Sequence, residues 1–433
     1  MALYSSLDTQ HLLVLALLLQ APVAPLRAQV REINPPTART TETVAIVGAT
    51  LIDGRGGAPV LDAAVVVRGG RIAAVGRRGA VTIPPGAKVV DGAGMSLLPG
   101  LIDAHFHLDG DQGLPALYLR HGVTSVRDPG AWIEAYDSVR ASTGPLPRLF
   151  LAGPHLDQAP PAYPEDSYLV RDAAETRAAV NRFIDQGASV IKVYFRLPPS
   201  LMAVATEAAH ARGVPVTSHL EIVDARVAIG TGIDGIEHIT SLGTALLPPR
   251  EAERYRQSVL QNNDARRDGR YQVFSRLDLA TDPTRRLLTL IRDRGVFLSP
   301  TLAVFESRAG DPGADSAHIR GFQQMLALTG MARRAGVSVV VGSHSSVPHA
   351  ERGFAYQREM ELLVEAGLTP LEVIRAATLE NARFFRVADR LGSVAVGKVA
   401  DLVLISGRPD QDIGAMRRVE GVMQNGRWVE QRE

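Results

Sequence analysis

Residues 96–107 read SLLPGLIDAHFH, an apolar run that ends in His105-Phe106-His107. Side chains on a β-strand alternate between faces, so positions i and i+2 point the same way. His105 and His107 would then converge from one strand end onto one point. Neutral imidazole is a common ligand for zinc and its neighbours, so this spacing predicts a metal-binding strand end. Two unrelated loop histidines would look the same in isolation, and the rest of the chain has to decide.

Seven further apolar runs follow in the middle of the chain: GVTSVRD (122–128), PRLFLAG (147–153), SVIKVYF (189–195), VPVTSHL (214–220), GIDGIEH (232–238), VFLSPTLAV (296–304) and VSVVVGS (337–343). Segments with apolar residues at helical spacing separate many of them. DAAETRAAVNRFIDQG (172–187) and SLMAVATEAAHARG (200–213) are helices by this pattern, and each ends in Gly. Eight such units predict a (β/α)8 barrel. Residues 241–295 are too many for one helix and are expected to form a lid or wall over the barrel mouth. The stretches VAIVGATLIDG (44–54), AAVVVRGGRIAAVG (63–76), LGSVAVGKVADLVLIS (391–406) and GVMQNGRWV (421–429) are β-rich and punctuated by Gly. The fold expected is therefore a distorted (β/α)8 TIM barrel over residues 99–388. A small β-sandwich is built from both ends, residues 44–98 and 389–433.

The polar residues fall at the ends of these strands. Lys192 lies inside the fourth run, His219 ends the fifth and His238 the sixth. An ionised Lys buried among apolar neighbours is costly, so its pKa should fall. A neutral amine beside metal ions can react with carbon dioxide to give a carbamate, a carboxylate able to bridge two ions. Of the 47 Lys and Arg residues only Lys88, Lys192 and Lys398 are lysines. Arg stays charged where a buried Lys can lose its proton. Taken singly, each of these residues also reads as ordinary: a snorkelling Lys, or a satisfied core His.

As an ordered set they resemble the amidohydrolase superfamily, its imidazolonepropionase-like and metal-dependent prolidase-like branch. The residues carrying the resemblance are GLIDAHFH (100–107), GVTSVRD (122–128), IKVY (191–194), AHARG (209–213), His219 and IEH (236–238). AGLTP (366–370), AAT (376–378), LGS (391–393) and GKVADL (397–402) add to them. The resemblance implies two divalent metal ions, with His105 and His107 on one, His219 and His238 on the other, and a carbamylated Lys192 between them. Zinc is the metal expected from ligand type, with manganese, iron or cobalt as alternatives. It implies hydrolysis of a carbon–nitrogen bond in an amide, peptide or cyclic amide by a metal-activated water.

One position departs from the family pattern. The eighth strand of the family ends in Gly-Thr-Asp, whereas this chain reads Gly342-Ser343-His344. An imidazole can still ligate metal or accept a proton, but nearby dications lower its pKa and make it a poorer base. His344 and Lys192 are the expected catalytic residues. The alternative is a catalytically impaired, metal-containing binding protein, and a single-metal site is a third reading. Tyr194, on the Lys192 face of its strand, and His155, after the third strand, are the expected substrate contacts. Arg127 and Arg196 are further candidates for holding a substrate carboxylate. His121 and His210 read as structural.

Composition narrows the function class. Hydrophobic residues make up 45% and charged residues 21%, which is globular. The net charge of +1 with no run of one sign gives no nucleic-acid footprint. With no cysteine, thiolate ligands, thiol nucleophiles and disulfides are excluded. Leu12–Leu19, LLVLALLL, followed by small residues, reads as a signal peptide over residues 1–28, although no Lys or Arg precedes it. The expected location is periplasmic or secreted, with a small-molecule substrate and no membrane span after cleavage. Oligomeric state is open, a homo-oligomer included.

Overall fold

The computed structural model describes Glu32 and residues 41–430. The expected signal peptide lies outside the described residues. Within them no helix is long and apolar enough to cross a membrane.

Short parallel strands make the barrel wall. Leu101–Asp103, Val123–Asp128 and Arg148–Leu151 form one sheet. Ile191–Val193, Val216–Ser218, Gly235–Glu237 and Phe297–Ser299 run side by side in a second. Backbone bonds join the two. Ser189 N–H donates to Leu151 O at 2.8 Å on one side. On the other, residues 338–344 lie between the Phe297–Ser299 and Leu101–Asp103 strands. Val340 N–H donates to Leu298 O at 2.9 Å, and Ala104 N–H to Val341 O at 2.9 Å. The fold is TIM-barrel-like.

Two of the expected strands differ. The run 337–343 makes only an isolated bridge, Val339 to Leu298. Side chains also claim backbone groups of the run: Asn381 Nδ2 donates to Val341 O at 2.9 Å, and Ser343 N–H donates to Asp103 Oδ1 at 2.9 Å. Gly342 presses so closely on the first strand that a Cβ there would sit 2.6 Å from the His105 Cβ. The run 296–304 is a strand only over Phe297–Ser299. Pro300 ends it, and the chain turns through Thr301 into the helix Leu302–Ala309.

The helices follow their sequence pattern. In Ala173–Gln186 the Asp172 carboxylate caps the first turn by accepting from Ala174 N and Glu175 N, and Gly187 at φ 110° ends it. Thr176, Ala179, Val180 and Phe183 recur at three- and four-residue spacing and are buried against the barrel. Pro199–Ala211 covers the second expected helix. His121 is the C-cap residue of Leu114–Arg120, and His210 bonds Asp234 at 2.7 Å. Residues 241–295 fold into several helices, among them Pro249–Gln261, Ala265–Arg276 and Asp282–Asp293.

Strands from both chain ends meet in one hydrogen-bonded sheet of eight. Met95–Pro99, which leads into the first barrel strand, pairs antiparallel with Leu402–Ser406 and parallel with Thr43–Leu51. Buried Arg148 ties barrel to sheet through Asp401 at 2.8 Å.

Candidate metal centre

The strand ends and the loops after them deliver the polar residues to one cavity of about 430 Å³. His105, His107, His155, Lys192, Tyr194, His219, His238 and His344 all line it. His105 Nε2 and His107 Nε2 are 3.0 Å apart. The His219 and His238 ring centres lie 4.5 Å apart, and His105 lies 4.7 Å from His238. His344 lies 4.8 Å from His107 and 5.3 Å from His105. One ring nitrogen from each of His105, His107 and His344 falls within 4.8 Å of the others.

Local backbone strain aims two of these side chains. His344 and Ser345 have φ of 59° and 60°, and His238 has φ 66°. Each such residue costs about 1–3 kcal/mol and persists only where its surroundings over-determine it. They do so here. His344 N–H donates to His105 O at 2.7 Å, and Ser345 Oγ accepts from His107 N–H at 2.6 Å. The Asp103 carboxylate spans the two loops, accepting from His105 N–H at 2.9 Å and from the Ser343 hydroxyl at 2.5 Å.

Four imidazoles have a partner on one ring nitrogen. His105 Nδ1 meets Glu237 Oε2 at 2.7 Å, and His219 Nε2 meets Glu221 Oε2 at 3.0 Å. His238 Nδ1 meets Thr301 Oγ1 at 2.6 Å, and His107 Nδ1 lies 3.5 Å from Asp128 Oδ1. This carboxylate- or hydroxyl-backed pattern fixes tautomer and orientation in metal sites. Neutral nitrogen donors with anchored rings and an adjacent Lys suit divalent zinc or its neighbours, so the donor set fits the metal that the family pattern implies. His344 differs: among the described residues no carboxylate or hydroxyl is hydrogen-bonded to its ring.

The electrostatics follow from burial. Burial pulls the pKa values of His105, His238 and His344 well below the ordinary 6.5 and that of His219 to about 4, which favours the neutral, ligating form. At His107 burial acts the same way, but the bond and charge of Asp128 raise its pKa overall. Burial also brings Lys192 down from 10.5 to about 8. No hydrogen bond to its Nζ occurs among the described residues.

His155 and Tyr194 stack at 4.5 Å, and Tyr194 contacts His219 edge-on at 4.7 Å. The two candidate arginines lie elsewhere. Arg127 is buried behind the strands, donating to Glu237 Oε1 at 2.6 Å and packing 4.0 Å over Phe384. Arg196 is taken up by Asn263 and the Val259 and Leu260 carbonyls. Residues of the 241–295 stretch do line the cavity, Arg267, Arg270 and Tyr271 on helix Ala265–Arg276, and Arg308 joins them from beyond it. Arg270 pairs with Glu221 at 2.7 Å.

Sequence reasoning missed Glu237, Asp128, Glu221 and Thr301. Glu237 and Glu221 carried a weak signal, each within two residues of a candidate histidine at a strand end, whereas Asp128 carried none beyond ending its own apolar run.

The sequence profile of the amidohydrolase family matches residues 96–429. N-acyl-D-aspartate deacylase of Alcaligenes xylosoxydans xylosoxydans is 38% identical over 141 residues, 31% of this chain and 26% of that protein. Adenine deaminase 3 of Rhizobium meliloti is 26% identical over 366 residues, 80% of this chain and 52% of that protein. The chain thus spans about a quarter to a half of these curated relatives. Among solved structures, a Bifidobacterium longum protein assigned as a prolidase superposes with TM-score 0.70 at 24% identity, covering 91% of this chain and 95% of that one. Ochratoxinase of A. niger superposes with TM-score 0.68 at 21% identity, covering 89% and 95%. At these identities the two structures speak for the fold.

Proposed function

The chain belongs to the amidohydrolase family, and we propose that it is a metal-dependent hydrolase of a carbon–nitrogen bond in a small amide, peptide or cyclic amide. One observation carries this reading: six imidazoles and Lys192 line one cavity, and four of the imidazoles are anchored from behind. The matched relatives named as a deacylase and a deaminase support enzymatic chemistry over a silent binding protein.

His105 and His107 would hold one ion, and His219 and His238 a second, zinc being the first expectation. Bound there, such ions polarise a scissile carbonyl and lower the pKa of a coordinated water. Lys192 would join the two donor pairs as a carbamate. Its amine nitrogen attacks carbon dioxide, a C–N bond forms and one proton leaves to solvent. The lowered pKa keeps part of the amine neutral for that step.

His344 is the proton carrier in this reading. It lies beside His107, and no carboxylate or hydroxyl holds its ring among the described residues, so it can accept a proton and deliver it to the leaving nitrogen. The Tyr194 hydroxyl would donate to the substrate oxygen, with His155 stacked on its ring to hold it.

The test is turnover of dipeptides, N-acyl amino acids and lactams by purified protein, before and after chelation and zinc restoration. No turnover of any of them by zinc-loaded protein would overturn the proposal. We also propose export to the periplasm or medium on the strength of Leu12–Leu19. N-terminal sequencing of exported protein tests this, and an intact Met1 on cytoplasmic protein would refute it.

A further inference from the structure

Glu359 lies on helix Ala355–Glu365, is fully buried, and makes no ion pair among the described residues. Its neighbour Arg358 pairs elsewhere, with Glu306 at 2.6 Å. Glu359 Oε2 accepts from Ala303 N–H at 2.8 Å, and Oε1 has no partner. A buried carboxyl group with one oxygen unpartnered is costly unless its position serves something.

The position is the N-terminus of helix Leu302–Ala309. A Thr at a helix N-cap ordinarily turns its own hydroxyl onto the first N–H groups. Thr301, the N-cap here, does not: it sits at φ 48° and makes no side-chain cap bond. A β-branched residue in that region is a genuine outlier. Its hydroxyl points the other way, to His238 Nδ1 at 2.6 Å. The cap that Thr301 withholds is supplied by Glu359 from a different helix. The Glu359 side chain thus stands at the positive end of the helix.

We infer that Glu359 is a positioning residue for His238: by capping helix Leu302–Ala309 from outside, it fixes the strained Thr301 turn and leaves the Thr301 hydroxyl to orient the imidazole. For Nε2 of His238 to face the cavity as a donor, Nδ1 must carry the hydrogen and donate to Thr301 Oγ1. The backbone is pinned to suit, since His238 N–H donates to Ser299 O at 2.7 Å and Ile239 N–H to Pro300 O at 3.1 Å. The inference rests on the metal reading only for its consequence, not for the geometry.

The experiment therefore has a metal-free arm. Protein labelled with nitrogen-15 at histidine and stripped with chelator is examined by long-range proton–nitrogen correlation, with His238→Asn to assign the ring. Wild type and Glu359→Gln, which keeps an acceptor for Ala303 N–H, are expected to hold the Nδ1–H tautomer. Glu359→Met, of similar volume but without the acceptor, and Thr301→Val are expected to lose it to a mixture. Should Glu359→Met fail to fold, Glu359→Asp takes its place, since one methylene less withdraws the acceptor. A wild-type tautomer at His238 in either of these two overturns the inference.

In the second arm zinc is titrated into the same proteins. Affinity for the second ion is expected to fall by about tenfold or more in Glu359→Met and Thr301→Val, and to change little in Glu359→Gln. Equal weakening of both ions would show a merely structural role and would also overturn the inference. If wild type takes up no zinc, the functional proposal fails, while the tautomer result still decides the role of Glu359.

Discussion

Glu237 Oε2 lies 2.7 Å from His105 Nδ1, with both side chains buried, so the first imidazole of the site is anchored by a carboxylate from a strand more than a hundred residues away. The other Glu237 oxygen accepts from Arg127 at 2.6 Å and from the Thr217 hydroxyl at 2.5 Å. One carboxylate therefore serves both the site and the barrel interior. Glu237→Gln keeps the shape but removes the charge. Metal affinity is expected to drop about 10- to 100-fold, the usual cost of a lost outer-shell partner. Arg127 is left buried without a counter-charge, so the melting temperature should fall as well. A competition titration with a chromophoric chelator and a thermal melt measure both. Unchanged affinity would remove Glu237 from the site.

Lys192 is expected to carry a carbamate. Protein equilibrated with carbon-13 bicarbonate and zinc should show a carbamate carbonyl resonance that is absent from Lys192→Met. Activity of that variant should fall by about two orders of magnitude or more, the scale of losing several kcal/mol of transition-state stabilisation. Equal activity in Lys192→Met would make this amine structural.

His344→Ala is expected to lower kcat about 10²- to 10⁴-fold, the range of general acid–base catalysis. Bound metal should stay nearly constant. His344→Asp should restore turnover, because a carboxylate also carries protons. If metal is lost in step with activity, His344 is a third donor and the proton passes by another group.

Glu359 gives the protein a pH signature. Burial raises its pKa from 4.5 to about 8. A carboxyl that keeps its proton longer in the folded state than in the unfolded one stabilises fully at acid pH, and this contribution is lost as pH rises from 4.5 to about 8. Glu359→Gln has no such proton. Its melting temperature relative to wild type should climb steadily across that window and level off above it. A constant difference would show that Glu359 is ionised throughout.

Much of this site was legible in the sequence because strand alternation and strand-end position are local properties. The His105 and His107 pair, Lys192, His219 and His238 follow from them and share one cavity. The anchoring acids were not legible, because Glu237 meets His105 across the barrel and Asp128 meets His107 between neighbouring strands. Only the assembled sheets bring them together. The run 337–343 looked like a full strand from its valines, but Asp103 and Asn381 claim backbone groups that a ladder would use. The arginines misled for a related reason. Arg127 is spent on Glu237 and Arg196 on the Asn263 loop, whereas Arg270, in a stretch without strand pattern, reaches the cavity.

The most direct measurement is the metal content of the purified protein by mass spectrometry, for wild type and for His107→Ala and His238→Ala. About two divalent ions per chain are expected in wild type, as in two-metal hydrolytic sites, with one lost in each variant and activity lost on chelation. Wild-type protein that holds no divalent ion, or turns substrate over after complete chelation, would contradict the metal centre itself.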